Sequence, residues 1–151
     1  MPSAASAPIR RIVIGVDGSP NSRLAAAWAA RLATAAGAEV VAVHALGLLE
    51  RLGRGSDPEP VENLVPEIQE LFANEWCAPL SEAGAACRRE LRFGPPVQVL
   101  LDVAEAEDAD LIVVGSRGLG GASALLLGST SSRLANSSSR PVLIVPLPKE
   151  D

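Results

Sequence analysis

Five short apolar runs recur along the chain, at residues 9–16 (IRRIVIGV), 39–46 (EVVAVHAL), 88–93 (RRELRF), 110–114 (DLIVV) and 141–145 (PVLIV). Four of them show no polar alternation, which predicts strands covered on both faces; the polar run at 88–93 suits a sheet edge. Between the runs the spacing turns helical. Ser19 can cap a helix that Pro20 opens, and Gly37 is a natural stop. Within that helix Leu24, Trp28 and Leu32 recur at i, i+4, i+8, so Trp28 is expected in the core. Leu64, Val65, Ile68, Leu71, Phe72 and Trp76 predict a second helix over 61–78, interrupted at Pro79. Val97, Leu100, Leu101 and Ala104 mark a third over 96–107, and a short fourth fits 129–137. Residues 47–60 carry Gly, Pro and charges and read as a mobile surface loop. Residues 1–8 are expected to be a disordered leader, 9–147 a single domain and 148–151 a tail.

Strands and helices thus alternate from end to end. That order implies an α/β fold with an open parallel sheet of five strands and helices on both faces. In such sheets ligands bind beyond the carboxyl ends of the strands, where the strand order reverses. The ends of the first and fourth runs are therefore the places to inspect. After the first comes Val16-Asp17-Gly18-Ser19, which is not the glycine fingerprint of a dinucleotide site. A carboxylate there repels a pyrophosphate but accepts hydrogen bonds from an amine or a sugar hydroxyl. Asp17 therefore suits the base or ribose end of a nucleotide, or else it orders its own turn.

After the fourth run comes Gly115-Ser116-Arg117-Gly118, then nine residues, then Gly128-Ser129-Thr130-Ser131. Glycine lets backbone approach a ligand, and a helix beginning near Ser129 offers free amides to an anion. The three hydroxyls and Arg117 add donors. The alternative is a long glycine-rich connection with a serine cap. No GxxxxGK[ST] occurs, so phosphate would be held by amides, hydroxyls and a divalent metal bridging its oxygens.

Composition narrows the partners. The net charge is −5, which opposes the counterion release that drives nucleic-acid binding. Two Trp, two Phe and no Tyr leave no stacking platform for single strands. No signal peptide and no run near the ~20 apolar residues of a membrane span is visible, so a cytoplasmic protein with reduced Cys77 and Cys87 is expected. His44, at the end of the second run, has no paired nucleophile and is expected to be structural.

The pattern Gly115-x2-Gly118-x9-Gly128-Ser129 is similar to the ATP-binding signature of universal stress proteins. The opening IVIGVDGSPNSRLAAAWA and the segments EWCAPL, ADLIVVGSRGLGG and RPVLIVP resemble members of actinobacterial type. The resemblance covers about residues 9–147. It implies a Rossmann-like sheet (adenine nucleotide alpha hydrolase-like) of order 3-2-1-4-5, binding ATP with Mg²⁺ or Mn²⁺. By position, Val16 and Asp17 would meet the base and Ala45 would wall the adenine pocket. Gly115 would lie at the ribose and phosphates, and Gly118, Gly128, Ser129, Thr130 and Ser131 at the triphosphate. The strand from Pro141 to Val145 would be a homodimer edge, with Leu143 and Val145 on one face and Val142 and Ile144 on the other. The expected function is a nucleotide-dependent stress-response module. A slow ATPase or autokinase and an AMP or cyclic-AMP regulator are the alternatives, since no base for hydrolysis is visible. A nucleotide-free scaffold would lack the glycine pattern. A receiver domain is excluded because Arg92-Phe93-Gly94 offers no phosphate-accepting Asp.

Overall fold

The computed structural model of the protein describes residues 6–52, 57–117 and 127–148. Most of the expected leader, the end of the expected tail and Gly118 lie outside these residues. β1 (Arg11–Gly15) leads to α1 (Pro20–Ala36), β2 (Glu39–Leu46) and a ribbon of β3 (Leu49–Glu50) with β4 (Glu59–Pro60). Next come α2 (Val61–Leu71), a π-helical turn (Phe72–Trp76), α3 (Ala78–Glu82), β5 (Cys87–Phe93), α4 (Pro96–Ala106), β6 (Leu111–Gly115), α5 (Ser129–Ser137) and β7 (Val142–Val145). The main sheet runs β5-β2-β1-β6-β7 and all its pairs are parallel. Counting only these five strands, the order is 3-2-1-4-5, so the reversal falls between β1 and β6.

The strands split their side chains between two cores, because successive residues point to opposite faces. Ile12, Ile14, Val40, Ala42 and Val113 pack with α1, α2 and α3. Val13, Val41, Val43, Ile112 and Val114 pack with α4 and α5. β7 divides as expected: Leu143 and Val145 join the first core, Val142 and Ile144 the second. The first strand is shorter than the apolar run. Asp110 precedes β6 and accepts from the amides of Arg10 (2.7 Å) and Arg11 (3.0 Å), tying the start of β1 to it.

Three expectations are corrected. Trp28 is 43% exposed, and the Arg31 guanidinium lies 4.4 Å over its ring centroid. The buried stripe of α1 is Ala25, Ala26, Ala29, Ala30 and Ala33, one position round from the bulky one. Small residues let the helix lie close on the sheet, which leaves the larger side chains at its flank. In α4 the buried face is Val99, Leu100, Val103 and Ala104, with Val97 and Leu101 only half-buried. The 47–60 segment contains the ribbon, in which Leu49 pairs with Pro60 and Glu50 with Glu59. Both cysteines are free thiols, and burial pushes Cys77 up to about 12.

Candidate functional site

Beyond the end of β1 the chain is held by its neighbours. The Val16 amide donates to Val43 O at 2.9 Å. Asp17 Oδ1 accepts from the Ser19 amide at 2.9 Å, so the carboxylate orders its own turn. Its other oxygen makes no hydrogen bond among the described residues. Gly18 has φ +81°, and a Cβ there would stand 2.6 Å from the Trp76 ring. Ser19 caps α1 by accepting from the Ser22 amide at 3.1 Å. The capping serine and first-turn proline behave as the sequence predicted.

His44 supports this turn from below. Its Nδ1 lies 2.6 Å from Val16 O. A carbonyl only accepts, so Nδ1 carries the proton. The Trp76 ring stands edge-on at 5.0 Å and Phe72 lies at 6.2 Å, both delivered by the π-helical turn. Nε2 is buried, 3.8 Å from Glu50 Oε2. Burial raises the Glu50 pKa, but His44 and the Gly47 amide outweigh it and hold the carboxyl below its ordinary range. The Gly47 bond is 2.6 Å. His44 is buried and hydrogen-bonded as expected, and it also lines the cleft between the ends of β1 and β6.

The end of β6 is tied differently, by polar groups. The Ser116 amide donates to Val145 O (2.8 Å), and Ser116 O accepts from the Gly128 amide (2.6 Å) and from Ser131 Oγ (2.9 Å). Asn21 is buried and reaches three partners. Its Nδ2 donates to Val145 O at 2.8 Å, while Oδ1 accepts from Ser116 Oγ at 2.9 Å and the Arg117 amide at 2.7 Å. Gly115 makes room for it, since a Cβ there would lie 2.9 Å from Asn21 Cγ. At α5 the first intrahelical bond is donated by Ser132 to Gly128 O (3.0 Å). The amides of Ser129, Thr130 and Ser131 precede it and have no acceptor among the described residues.

Between these two ends lies a cleft of about 120 Å³ lined by apolar Val16, Val43, Ala45, Leu100 and Val114 and by Asp17, Gly115, Arg117 and Thr130 among others. A wider hollow of about 570 Å³ continues from it past Ala45 and Pro96 to Gly47 and Phe93. Six of the sequence-predicted residues therefore line the same cleft: Val16, Asp17, Ala45, Gly115, Arg117 and Thr130. Gly128 and Ser129 stand beside it at the start of α5. Ser131 is buried, and its hydroxyl is turned to Ser116 O and to Gly128 O. Gly118 falls outside the described residues. Sequence reasoning missed Asn21, Gly18 and Ser116. Gly18 follows Asp17 in a turn, which is a usable signal for a positive φ. Asn21 gives none, because its partners lie 95 or more positions away. Among the described residues no group of three or more His, Cys, Asp or Glu could hold a metal ion, and no helix is long and apolar enough to cross a membrane.

The profile of the Universal stress protein family matches residues 8–146. A universal stress protein of Methanocaldococcus jannaschii is 33% identical, over 94% of this chain and 85% of its own length. One from Thermus aquaticus is 34% identical, over 90% of this chain and 98% of its own. The mycobacterial relatives are longer: against one from Mycobacterium tuberculosis, 32% identical, the chain spans 48% of the length. Among solved structures, a universal stress protein in complex with cAMP superposes with TM-score 0.69 at 29% identity, covering 93% of this chain and 98% of that one. A dAMP complex from Archaeoglobus fulgidus has TM-score 0.66 at 23% identity and speaks to the fold alone.

Proposed function

The chain belongs to the universal stress protein family, and we propose that it is a nucleotide-responsive signalling module whose cleft binds ATP. The observation that carries this reading is the pairing of two unlike ends across one cleft. Apolar walls and a turn carboxylate stand at one end, amides and hydroxyls at the other. Adenine packs between Val16 and Ala45, and the Asp17 oxygen not used by Ser19 accepts from the nucleoside. The ribose lies against Gly115, which lines the cleft while its missing Cβ makes room for Asn21. The phosphates lie toward Arg117, Thr130 and the amides that open α5, where the helix dipole favours an anion. Thr130 lines the cleft and Ser129 is exposed beside it, so their hydroxyls fit a Mg²⁺ (or Mn²⁺) carried on the phosphate oxygens. That ion would neutralise phosphate charge; the chain's own task is to hold and orient the phosphates. Asp17 and His44 line the cleft beside Val16 and Ala45, at the end assigned to the base, so we expect turnover to be slow at most.

We assign the protein to the cytoplasm as a homodimer. Its β7 edge pairs only with β6 among the described residues and carries apolar side chains on both faces, a liability that a two-fold partner would remove. Ile144→Lys is expected to give a monomer by light scattering. A second reading, an AMP or cyclic-AMP regulator, is favoured by the cAMP-bound relative. A thermal-shift series with ATP, AMP and cyclic AMP, each with and without Mg²⁺, separates the two. A ligand at 100 times its dissociation constant adds about 2.7 kcal/mol. The largest shift with ATP and Mg²⁺ supports the first reading, and a larger shift with a monophosphate supports the second. No shift in nucleotide-stripped protein overturns both.

A further inference from the structure

We propose that Asn21 is the positioning residue of the phosphate end: it fixes the Arg117 backbone against the first turn of α5, and so sets how well the cleft distinguishes a nucleotide from its nucleoside. The inference rests on the adenine-nucleotide reading above. Asn21 sits in the first turn of α1 at 2% exposure. Its amide orientation is forced, because Nδ2 faces a carbonyl that only accepts and Oδ1 faces the Arg117 N–H, which only donates. Ser116 Oγ completes the set by donating to the same Oδ1.

These bonds continue without a gap to α5. Ser116 is gripped by Asn21 at its hydroxyl and by Val145 at its amide; its carbonyl receives the Gly128 amide and Ser131 Oγ. A line of hydrogen bonds thus runs from α1 through Ser116 and Arg117 to the start of α5. Arg117 and Thr130, on either side of that line, both line the cleft. Asn21 does not line it, so its influence passes through the groups it holds. No other residue type serves all three partners at this reach. Asp lacks the donor for Val145 O, Gln is one methylene longer, and Ala offers neither donor nor acceptor. Nor does any of its three bonds go to Val16, Asp17 or Ala45, so the base end should not feel its loss.

The test measures ATP and adenosine affinities by calorimetry in wild type, Asn21→Ala, Ser116→Ala and the double variant. Leu80→Ala, which empties a fully buried position of α3, controls for general destabilisation. The expectation is that Asn21→Ala weakens ATP about 10-fold and adenosine less than about 2-fold. Ser116→Ala should act in the same sense but less. The double variant should lose less than the sum, since the two residues share a bond. Equal losses for ATP and adenosine, or a matching ATP loss in Leu80→Ala, would overturn the proposal. If Asn21→Ala does not fold, Ser116→Ala decides alone: an ATP-selective loss supports the assignment, and none or an unselective one removes it. Wild-type protein that binds ATP no better than adenosine defeats the phosphate reading itself, and the role of Asn21 falls with it. Wild type that prefers ATP, with Asn21→Ala keeping that preference, defeats only the role of Asn21.

Discussion

The two ends of the cleft are built on opposite principles. At the end proposed for the base, aromatic packing frames the turn: Gly18 lies against Trp76, Trp76 and Phe72 flank His44, and His44 hydrogen-bonds Val16 O. At the phosphate end, shape is set by hydrogen bonds among Asn21, Ser116, Gly128, Ser131 and Val145. Packing is steep in distance, so a misplaced atom at the first end costs stability. Hydrogen bonds fix direction, so a lost one at the second end is expected to cost selectivity in addition to the stability forfeited by a buried unpaired group.

The sharpest way to break the contrast is Gly18→Val. A β-branched residue at φ +81° with its Cβ against the Trp76 ring should cost about 3 kcal/mol in urea melts; a neutral result would mean that packing does not fix the base end. Asp17→Ala comes next. It removes the proposed nucleoside acceptor and the Ser19 bond together, and is expected to weaken adenosine and ATP alike by about 10-fold in calorimetry while leaving pyrophosphate binding unchanged. Thr130→Val should reverse that pattern, with ATP weaker by about 5-fold and adenosine unaffected. The smallest effect is expected at Glu50→Gln, which should lower stability at pH 7 by under about 1 kcal/mol. The Glu50 pKa is lowered in the folded state from 4.5. Its contribution is therefore present above that value and is lost as pH falls through the lower folded one. The difference between wild type and Glu50→Gln should vanish in acid melts; a difference that persists there would mean the carboxylate charge is not its source.

Much of the scaffold was legible because its signals are local. β1 and β2 lie within their apolar runs, β6 passes the end of its own by one residue, and α1 starts at the Ser19-Pro20 cap and stops at Gly37. Gly115 ends β6 beside the sheet reversal, and Gly128 and Ser129 open α5, to which their spacing in the sequence points. Trp28 misled because the same spacing can be drawn through its bulky neighbours or through the alanines beside them, and only the sheet chooses between the two. Periodicity also says nothing of a two-residue ribbon such as β3 and β4. Ser131 shows a subtler limit: a hydroxyl in the right place by sequence points to Ser116 O and Gly128 O rather than to the cleft. The role of Asn21 depends on residues 95–124 positions away, and no local pattern carries that.

The alanine stripe of α1 has one more consequence. The first turn of the helix carries Asn21, which is bonded to the β6 end of the cleft, and Ser22, whose hydroxyl lies 3.4 Å from the Asp17 amide at the other. Ala25, Ala29 and Ala33 act as the shim that sets the height of α1 above the sheet. A single added methyl there would lift the helix and carry both residues with it, so the geometry of the whole cleft is stored in side chains that do not line it.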